Sequence, residues 1–319
     1  MWSFLRLLVA VVAVFYISLG GAVRAQDYPA KTIFFVVGPG PDAVARLISQ
    51  KMAEDWGQQV LVDPQPAAGG MVAARSVAKA APDGYTLLLS TGSYPINEIL
   101  RPNESVKLMS DLAPVVEIAS LPFVILVPSS LPVNSLADLI KLAAGKPGEI
   151  NCASSGVGTT AHLGCALLNS VTNVKTVHVP YKGLGPAIVD LIAGRVQLLF
   201  SVPTSLGYVT SGQLRALAVT GPKRLPTLPN VPTVAEAGFA GLQFTSWNGV
   251  HVPAGTPKVI IAKLNAEIVK ICGMPEFKQR LTDLGFTPEG GTPEQFGNFV
   301  KADFARWEKV VKETGVKIE

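Results

Sequence analysis

The sequence predicts an α/β protein of two lobes with a cleft between them. Three observations lead there: strand-like and helix-like segments alternate from residue 32 onward, the alternation runs through two separate blocks, and two extended segments can carry the chain between the blocks. Alternation of this kind requires crossover connections, and so a mostly parallel sheet covered by helices. The first block reads as strand 32–37, helix 42–56, strand 60–62, helix 71–80 and strand 86–90. The second repeats the grammar with strand 150–153, helix 161–170, strand 176–179, helix 187–193 and strands 196–200 and 214–219. Helical periodicity returns at 259–271, 276–284 and 292–314. In the last of these Phe296, Phe299, Val300, Phe304, Trp307 and Val311 recur at three- and four-residue steps, an amphipathic stripe that packs on a sheet.

Between the blocks lies 121–133, β-branched and punctuated by proline, which can take the chain out of the first lobe. A return is offered by 244–257, where Val250 to Pro253 is strand-like and Ala254 to Pro257 is a turn into a helix. Two crossings make the first lobe discontinuous: 26–124 and 246–319 are expected to form lobe 1, and 125–245 lobe 2, with a hinge and an inter-domain cleft of the kind ligands favour. The stretch 112–133 is strongly apolar, but Glu117 and four prolines interrupt it, so it reads as strands and turns and not as a membrane span.

Residues 1–6 give a short basic start and 7–19 an almost unbroken apolar run, the build of a secretory signal. The run is short of the ~20 residues needed to span a bilayer. Val23 and Ala25 precede an expected cut ahead of Gln26, so 1–25 is read as a signal peptide and the mature chain as periplasmic. The remainder suffices for two domains of ~150 residues each, and 48% hydrophobic content supplies their cores. The formal charge of +4 falls to +2 when Arg6 and Arg24 leave (4 − 2), and no basic run remains for nucleic acid or a membrane surface. Cys152, Cys165 and Cys272 are too few and too unevenly placed for a disulfide framework; export permits one bridge, but they read as small buried thiols.

The most informative segment is Ala153-Ser154-Ser155-Gly156-Val157-Gly158-Thr159-Thr160-Ala161-His162-Leu163, which follows a strand and opens a helix. Glycines let backbone approach a ligand, hydroxyls donate, and unpaired N–H groups at a helix start favour an anion such as a carboxylate. A βα turn with a Ser or Thr N-cap has the same pattern and needs no ligand. In Pro180-Tyr181-Lys182-Gly183-Leu184-Gly185-Pro186, Tyr181 can close over a ligand and present its hydroxyl, while Lys182 either supplies positive charge or points to water. Ser90-Thr91-Gly92-Ser93-Tyr94 adds three small hydroxyl residues at a strand end. Loops at the carboxyl ends of parallel strands are where open α/β sheets bind ligands, so the three loops support one another.

Enzyme signatures are lacking. Gly38-Pro39-Gly40 misses the dinucleotide spacing, Gly145-Lys146 misses the rest of a phosphate loop, and neither Ser154 nor Ser155 is flanked as in a nucleophile elbow. His162, His178 and His251 show no metal-ligand spacing. His162 either faces the cleft or serves the helix; His178 reads as a strand residue packed among Val177 and Val179. A periplasmic serine hydrolase built on Ser154 or Ser155 with His162 is the rival enzyme, and it wants an orienting carboxylate that no spacing provides. No enzyme activity, cofactor or metal is expected.

The runs Ala80-Ala81-Pro82-Asp83-Gly84-Tyr85-Thr86-Leu87-Leu88, Val179-Pro180-Tyr181-Lys182-Gly183, Leu214-Arg215-Ala216-Leu217-Ala218-Val219-Thr220 and Val231-Pro232-Thr233-Val234-Ala235-Glu236-Ala237-Gly238 resemble the Bug family, substrate-binding receptors of tripartite tricarboxylate transporters, and the resemblance runs from about Tyr28 to the C-terminus. It implies a two-lobed type II periplasmic-binding-protein fold that closes over a small carboxylate, with membrane subunits of a transporter as partners and a monomer as the expected state. It assigns Ser155, Gly158, Thr159 and Thr160 to the carboxylate loop of the second lobe, Tyr181 and Lys182 to its neighbour, and Ser90, Thr91 and Ser93 to the third-strand loop of the first lobe. A sensor that docks the same closed form on a signalling receptor is the alternative. Two departures stand out. The first loop is shortened to Gly38-Pro39-Gly40-Pro41 before Asp42, and Ser201 stands where the family often has an Asp able to meet an amino group, which favours a plain carboxylate over an amino acid.

Overall fold

Aliphatic and β-branched runs bounded by glycine and proline become the strands of two sheets. The computed structural model describes residues 28–38, 42–65 and 70–317. The expected signal peptide and its cut after Ala25 lie outside these, as do residues 39–41 of the shortened first loop. The first sheet has the order β11-β4-β10-β3-β1-β2, with β1 (Ile33–Val37), β2 (Val60–Pro64), β3 (Thr86–Thr91), β4 (Leu112–Pro122), β10 (Thr245–Pro253) and β11 (Thr287–Pro288). The second has the order β7-β6-β8-β5-β9, with β5 (Val124–Pro128), β6 (Asn151–Ser154), β7 (Val177–Pro180), β8 (Leu198–Ser201) and β9 (Leu214–Val219).

The two sheets share one plan. β1 is parallel to β2 and β3, and β6 is parallel to β7 and β8. Beside each trio lies one antiparallel strand, β10 against β3 and β5 against β8. Both antiparallel strands are the ones that arrive from the other lobe. The chain leaves the first sheet at Pro122 and enters the second at Val124; it leaves the second past Thr220 and re-enters the first at Thr245.

Phe123 and Phe244 are the connecting residues, and Thr220 ties them together. Its hydroxyl accepts from Phe123 N–H at 2.9 Å and donates to Phe244 O at 2.7 Å. Its own N–H donates to Phe123 O at 2.8 Å, and Phe244 N–H donates to Thr220 O at 3.0 Å. Thr220 is fully buried, and the two phenylalanine rings pack with centroids 5.4 Å apart. Every strong backbone group at the double crossing is thus paired within it, as burial demands.

Helices α1 (Ala43–Trp56), α2 (Met71–Ala78) and α3 (Ser93–Leu100) belong to the first block, and α4 (Leu136–Gly145), α5 (Thr160–Thr172), α6 (Leu184–Ile192) and the short α7 (Gly207–Thr210) to the second. Helices α8 (Lys258–Gly273), α9 (Pro275–Asp283) and α10 (Pro293–Thr314) follow β10. The segment read as a hydroxyl-rich loop at the end of the third strand divides between structure elements: Ser90 and Thr91 close β3, and Ser93 and Tyr94 open α3, whose Pro95 sits in the first turn, where a missing N–H costs nothing. Helix α10 opens with a capping box between Thr292 and Gln295 and spans both lobes. Its Phe296 and Val300 pack with Trp247 of the first sheet, and its Trp307 and Val310 pack with Phe123, Phe200 and Phe244. Asp303 interrupts the stripe, 5% exposed, accepting from Trp247 Nε1 at 2.8 Å and from Arg306 at 2.6 Å.

The cysteine reading needs correction. Cys152 on β6 and Cys165 on α5 are joined in a disulfide with Cα atoms 6.0 Å apart; Cys272 alone is a free, buried thiol. Strand and helix face each other beneath the loop that connects them, a proximity that sequence spacing does not reveal. Among the described residues no helix is long and apolar enough to cross a membrane.

Replacing the clasping hydroxyl by an isosteric methyl leaves one donor and one acceptor unpaired in the interior. Thr220→Val is expected to lower unfolding free energy by about 1–3 kcal/mol in urea titration; an unchanged midpoint and slope would show that the crossings hold without it.

Candidate functional site

A cavity of about 700 Å³ lies in the cleft and takes its walls from both lobes. The second lobe contributes the β6–α5 loop, with Ser155, Gly156, Thr159 and Thr160, and the β7–α6 loop, with Lys182 and Gly183. From the first come Gly38 after β1, Thr91, Ser93 and Tyr94 at the end of β3, and Ser246, Trp247 and Asn248 on β10.

The β6–α5 loop is held by its own hydroxyls. Gly156 and Gly158 adopt φ of 140° and 78°, values that side chains other than glycine disfavour. Ser154 Oγ donates to Gly156 O at 3.1 Å and accepts from Gly156 N–H at 3.2 Å. Thr159 is the N-cap of α5, donating to Gly156 O at 2.8 Å and accepting from His162 N–H at 3.3 Å. Thr160, in the first turn, differs: the residue lines the cavity, and its Oγ1 is buried without a hydrogen-bond partner. First-turn N–H groups have no acceptor within their helix, so the start of this 13-residue helix presents donors and a favourable dipole to an anion.

Tyr94 mirrors Thr160 from the first lobe. Its hydroxyl is likewise buried and unpartnered, and burial raises its pKa far above the usual tyrosine range, so it stays protonated and can donate. A Cβ on Gly38 would come within 2.8 Å of that hydroxyl, which explains why the backbone there carries none. Lys182 supplies the one charged side chain among the described lining residues, and it is exposed at the cavity mouth.

The expected residues divide into two groups. Thr91, Ser93, Ser155, Thr159, Thr160 and Lys182 come together around the cavity. Ser90 does not reach it: fully buried, it donates to Gly249 O at 3.0 Å and sits 2.7 Å from His251 Nδ1, joining β3 to β10. Tyr181 does not present its hydroxyl to the cleft but donates to Asp190 at 2.8 Å. Gly158 faces Asn97 of α3, whose Nδ2 donates to Gly158 O at 3.0 Å and to Ser93 O at 2.8 Å. That asparagine, 2% exposed, bonds the two lobes directly beside the cavity, and a Cβ on Gly158 would lie 2.6 Å from its Oδ1. Nothing in its sequence context marks Asn97, because the pairing depends on how α3 lies against the other lobe.

The hydrolase arrangement is not formed. Ser154 pairs with His178, Oγ to Nε2 at 2.7 Å, and not with His162. His162 stacks on His178 with centroids 3.9 Å apart and accepts from Gly158 N–H at 3.3 Å through Nδ1. Among the described residues no carboxylate hydrogen-bonds either ring. Burial lowers both pKa values; for His178, burial and then the neighbouring His162 push it down to about 4. The pair is a neutral support under the loop. Ser201 is also turned away: fully buried, it donates to Ser205 Oγ at 2.8 Å, and Val202 lines the cavity instead.

The family model described as the tripartite tricarboxylate transporter family receptor matches residues 44–316. Protein BugT of Bordetella pertussis is 36% identical over 98% of this chain and 98% of its own. Among solved structures, R. palustris Rpa4515 with adipate is 37% identical with a TM-score of 0.85, covering 91% of this chain and 99% of that one. MatC (Rpa3494) from Rhodopseudomonas palustris with bound malate is 32% identical with a TM-score of 0.81, covering 89% and 100%. The two-lobed plan is therefore the periplasmic-binding-protein fold.

Two expectations follow. Thr160→Val removes a hydroxyl that has no partner within the protein, so thermal stability should hold or rise while ligand affinity drops roughly tenfold, the worth of about one hydrogen bond; unchanged affinity in titration calorimetry would take Thr160 out of the site. The second concerns His178, whose folded pKa of about 4 lies below its ordinary ~6.5, so the stability that depends on its neutral form is complete above pH 6.5 and is lost as pH falls toward 4. His178→Gln lacks that titration; its stability deficit against the parent should narrow between pH 7 and pH 4 in urea melts, whereas a constant deficit would contradict the assignment.

Proposed function

This chain belongs to the tripartite tricarboxylate transporter receptor family, and from that premise we propose that it is an exported receptor that captures a small carboxylate in the inter-lobe cleft and offers the closed form to the transporter's membrane subunits. The observation that carries this reading is Thr160, a cavity-lining residue at the start of α5 whose Oγ1 is buried without a partner. An unsatisfied buried hydroxyl is costly, and a ligand oxygen relieves it. Bound adipate and malate in two structural relatives support a carboxylate as the group that arrives.

In the proposed complex one carboxylate lies against the first turn of α5, taking donors from Ser155 and Thr160 and from first-turn N–H groups, while Thr159 caps the helix and holds the loop beside it, with Lys182 adding charge at the mouth. Thr91 and Ser93 approach from the first lobe. Tyr94 joins them as a neutral donor. Capture works because contacts from both lobes are complete only when the cleft is closed, so the ligand favours the closed form by its differential affinity. No bond in the ligand changes. Micromolar capture would correspond to about −8 kcal/mol net.

A thermal-shift screen of the ligand-stripped mature protein tests the reading. Carboxylates are expected to raise the melting temperature in a concentration-dependent way, equivalent to about 2.7 kcal/mol at a hundredfold excess over Kd. Matched amides and sugars should leave it unmoved. A panel in which no carboxylate shifts the transition would overturn it.

A further inference from the structure

The cavity is chemically lopsided. Its second-lobe loops carry hydroxyls, amides and Lys182, and β3, α3 and β10 add the uncharged polar groups of Thr91, Ser93, Ser246 and Asn248, whereas the floor next to the hinge is Leu121, Phe123, Phe200, Val202 and Phe286. Leu121 and Phe123 flank the crossing at Pro122, Phe200 and Val202 end the strand that pairs with β5, and Phe286 packs in one cluster with Leu121 and Val202. The floor is thus a continuous apolar surface built into the hinge.

We infer that this receptor selects a monocarboxylate with an aromatic body, benzoate being the simplest member, over aliphatic dicarboxylates. The inference rests on the capture reading above and specifies its ligand. A carboxylate at the α5 start leaves the rest of the ligand over the floor. A second carboxylate there would lose its hydration against phenylalanine and valine with no cation to replace it, because Lys182 is the one charged side chain among the described lining residues. The stretches 39–41 and 66–69 contain only proline, glycine and alanine and bring no side-chain charge. An ammonium fares no better: no described lining residue is acidic, and Ser201 is turned toward Ser205. An aromatic ring suits the floor because it buries a large area with little rotamer freedom to lose, and it meets Phe123, Phe200 and Phe286 in edge or offset geometry.

Titration calorimetry on the ligand-stripped mature chain compares benzoate, adipate and malate. Benzoate should bind at least about tenfold tighter than either dicarboxylate. Thr204 lines the cavity beside Val202 and is exposed, so Thr204→Arg adds a cation near the floor without disturbing the core. In that variant the adipate-to-benzoate affinity ratio should rise at least about fivefold. Adipate or malate binding as tightly as benzoate in the parent overturns the ligand class and leaves capture intact; so does an unchanged ratio in Thr204→Arg. Failure of every carboxylate to bind overturns capture itself, and this inference with it.

Discussion

The rest of the molecule depends on four hydrogen bonds around Thr220. A chain that crosses twice between lobes brings buried backbone donors and acceptors into a place where neither sheet can pair them. Thr220 pairs them with one hydroxyl and one peptide unit, so that Phe123 and Phe244 run side by side at a fixed distance. The strands that emerge, β5 and β10, each enter a sheet antiparallel to its third parallel strand, and their ends fix where the cavity walls stand. The floor of the cleft is the upper face of this clasp. Phe123 thus belongs both to the crossing and to the cavity lining.

Around the cleft, hydroxyl groups fall into two kinds with different consequences. Those of Ser90, Ser154 and Thr159 are occupied in holding strands and loop, and removing them would disturb geometry before it disturbed binding. Those of Thr160 and Tyr94 are buried and have no hydrogen-bond partner within the protein. An idle buried hydroxyl costs about 1–3 kcal/mol. Under the proposed capture of a carboxylate, two such hydroxyls on residues of opposite walls would gain partners only from the ligand, which is the differential that capture requires.

Much of the architecture was legible because period and punctuation agree. Leu214–Val219 is a strand over the full stretch read from sequence, and α1, α5, α8, α9 and α10 lie within a few residues of their expected bounds. Helix α3 was missed because the hydroxyl- and glycine-rich run from Ser90 to Tyr94 that leads into it has the composition of a loop. At the site, the loop at 155–160 and Lys182 were readable from composition and position. Ser90, Gly158 and Tyr181 stood in the right loops with their polar groups committed elsewhere, to His251, Asn97 and Asp190, and sequence does not report such commitments. Asn97 and the Cys152–Cys165 bond were invisible for the same reason: each joins elements whose approach is decided by packing.

The Cys152–Cys165 disulfide encloses the whole β6–α5 loop, since residues 155–160 lie between its two half-cystines. Thiols are kept reduced in the cytoplasm and oxidise beyond it. For a receptor exported as proposed, the precursor would carry this loop unstapled until translocation is complete. The strand and helix that anchor the loop would then be covalently joined only on the far side of the membrane.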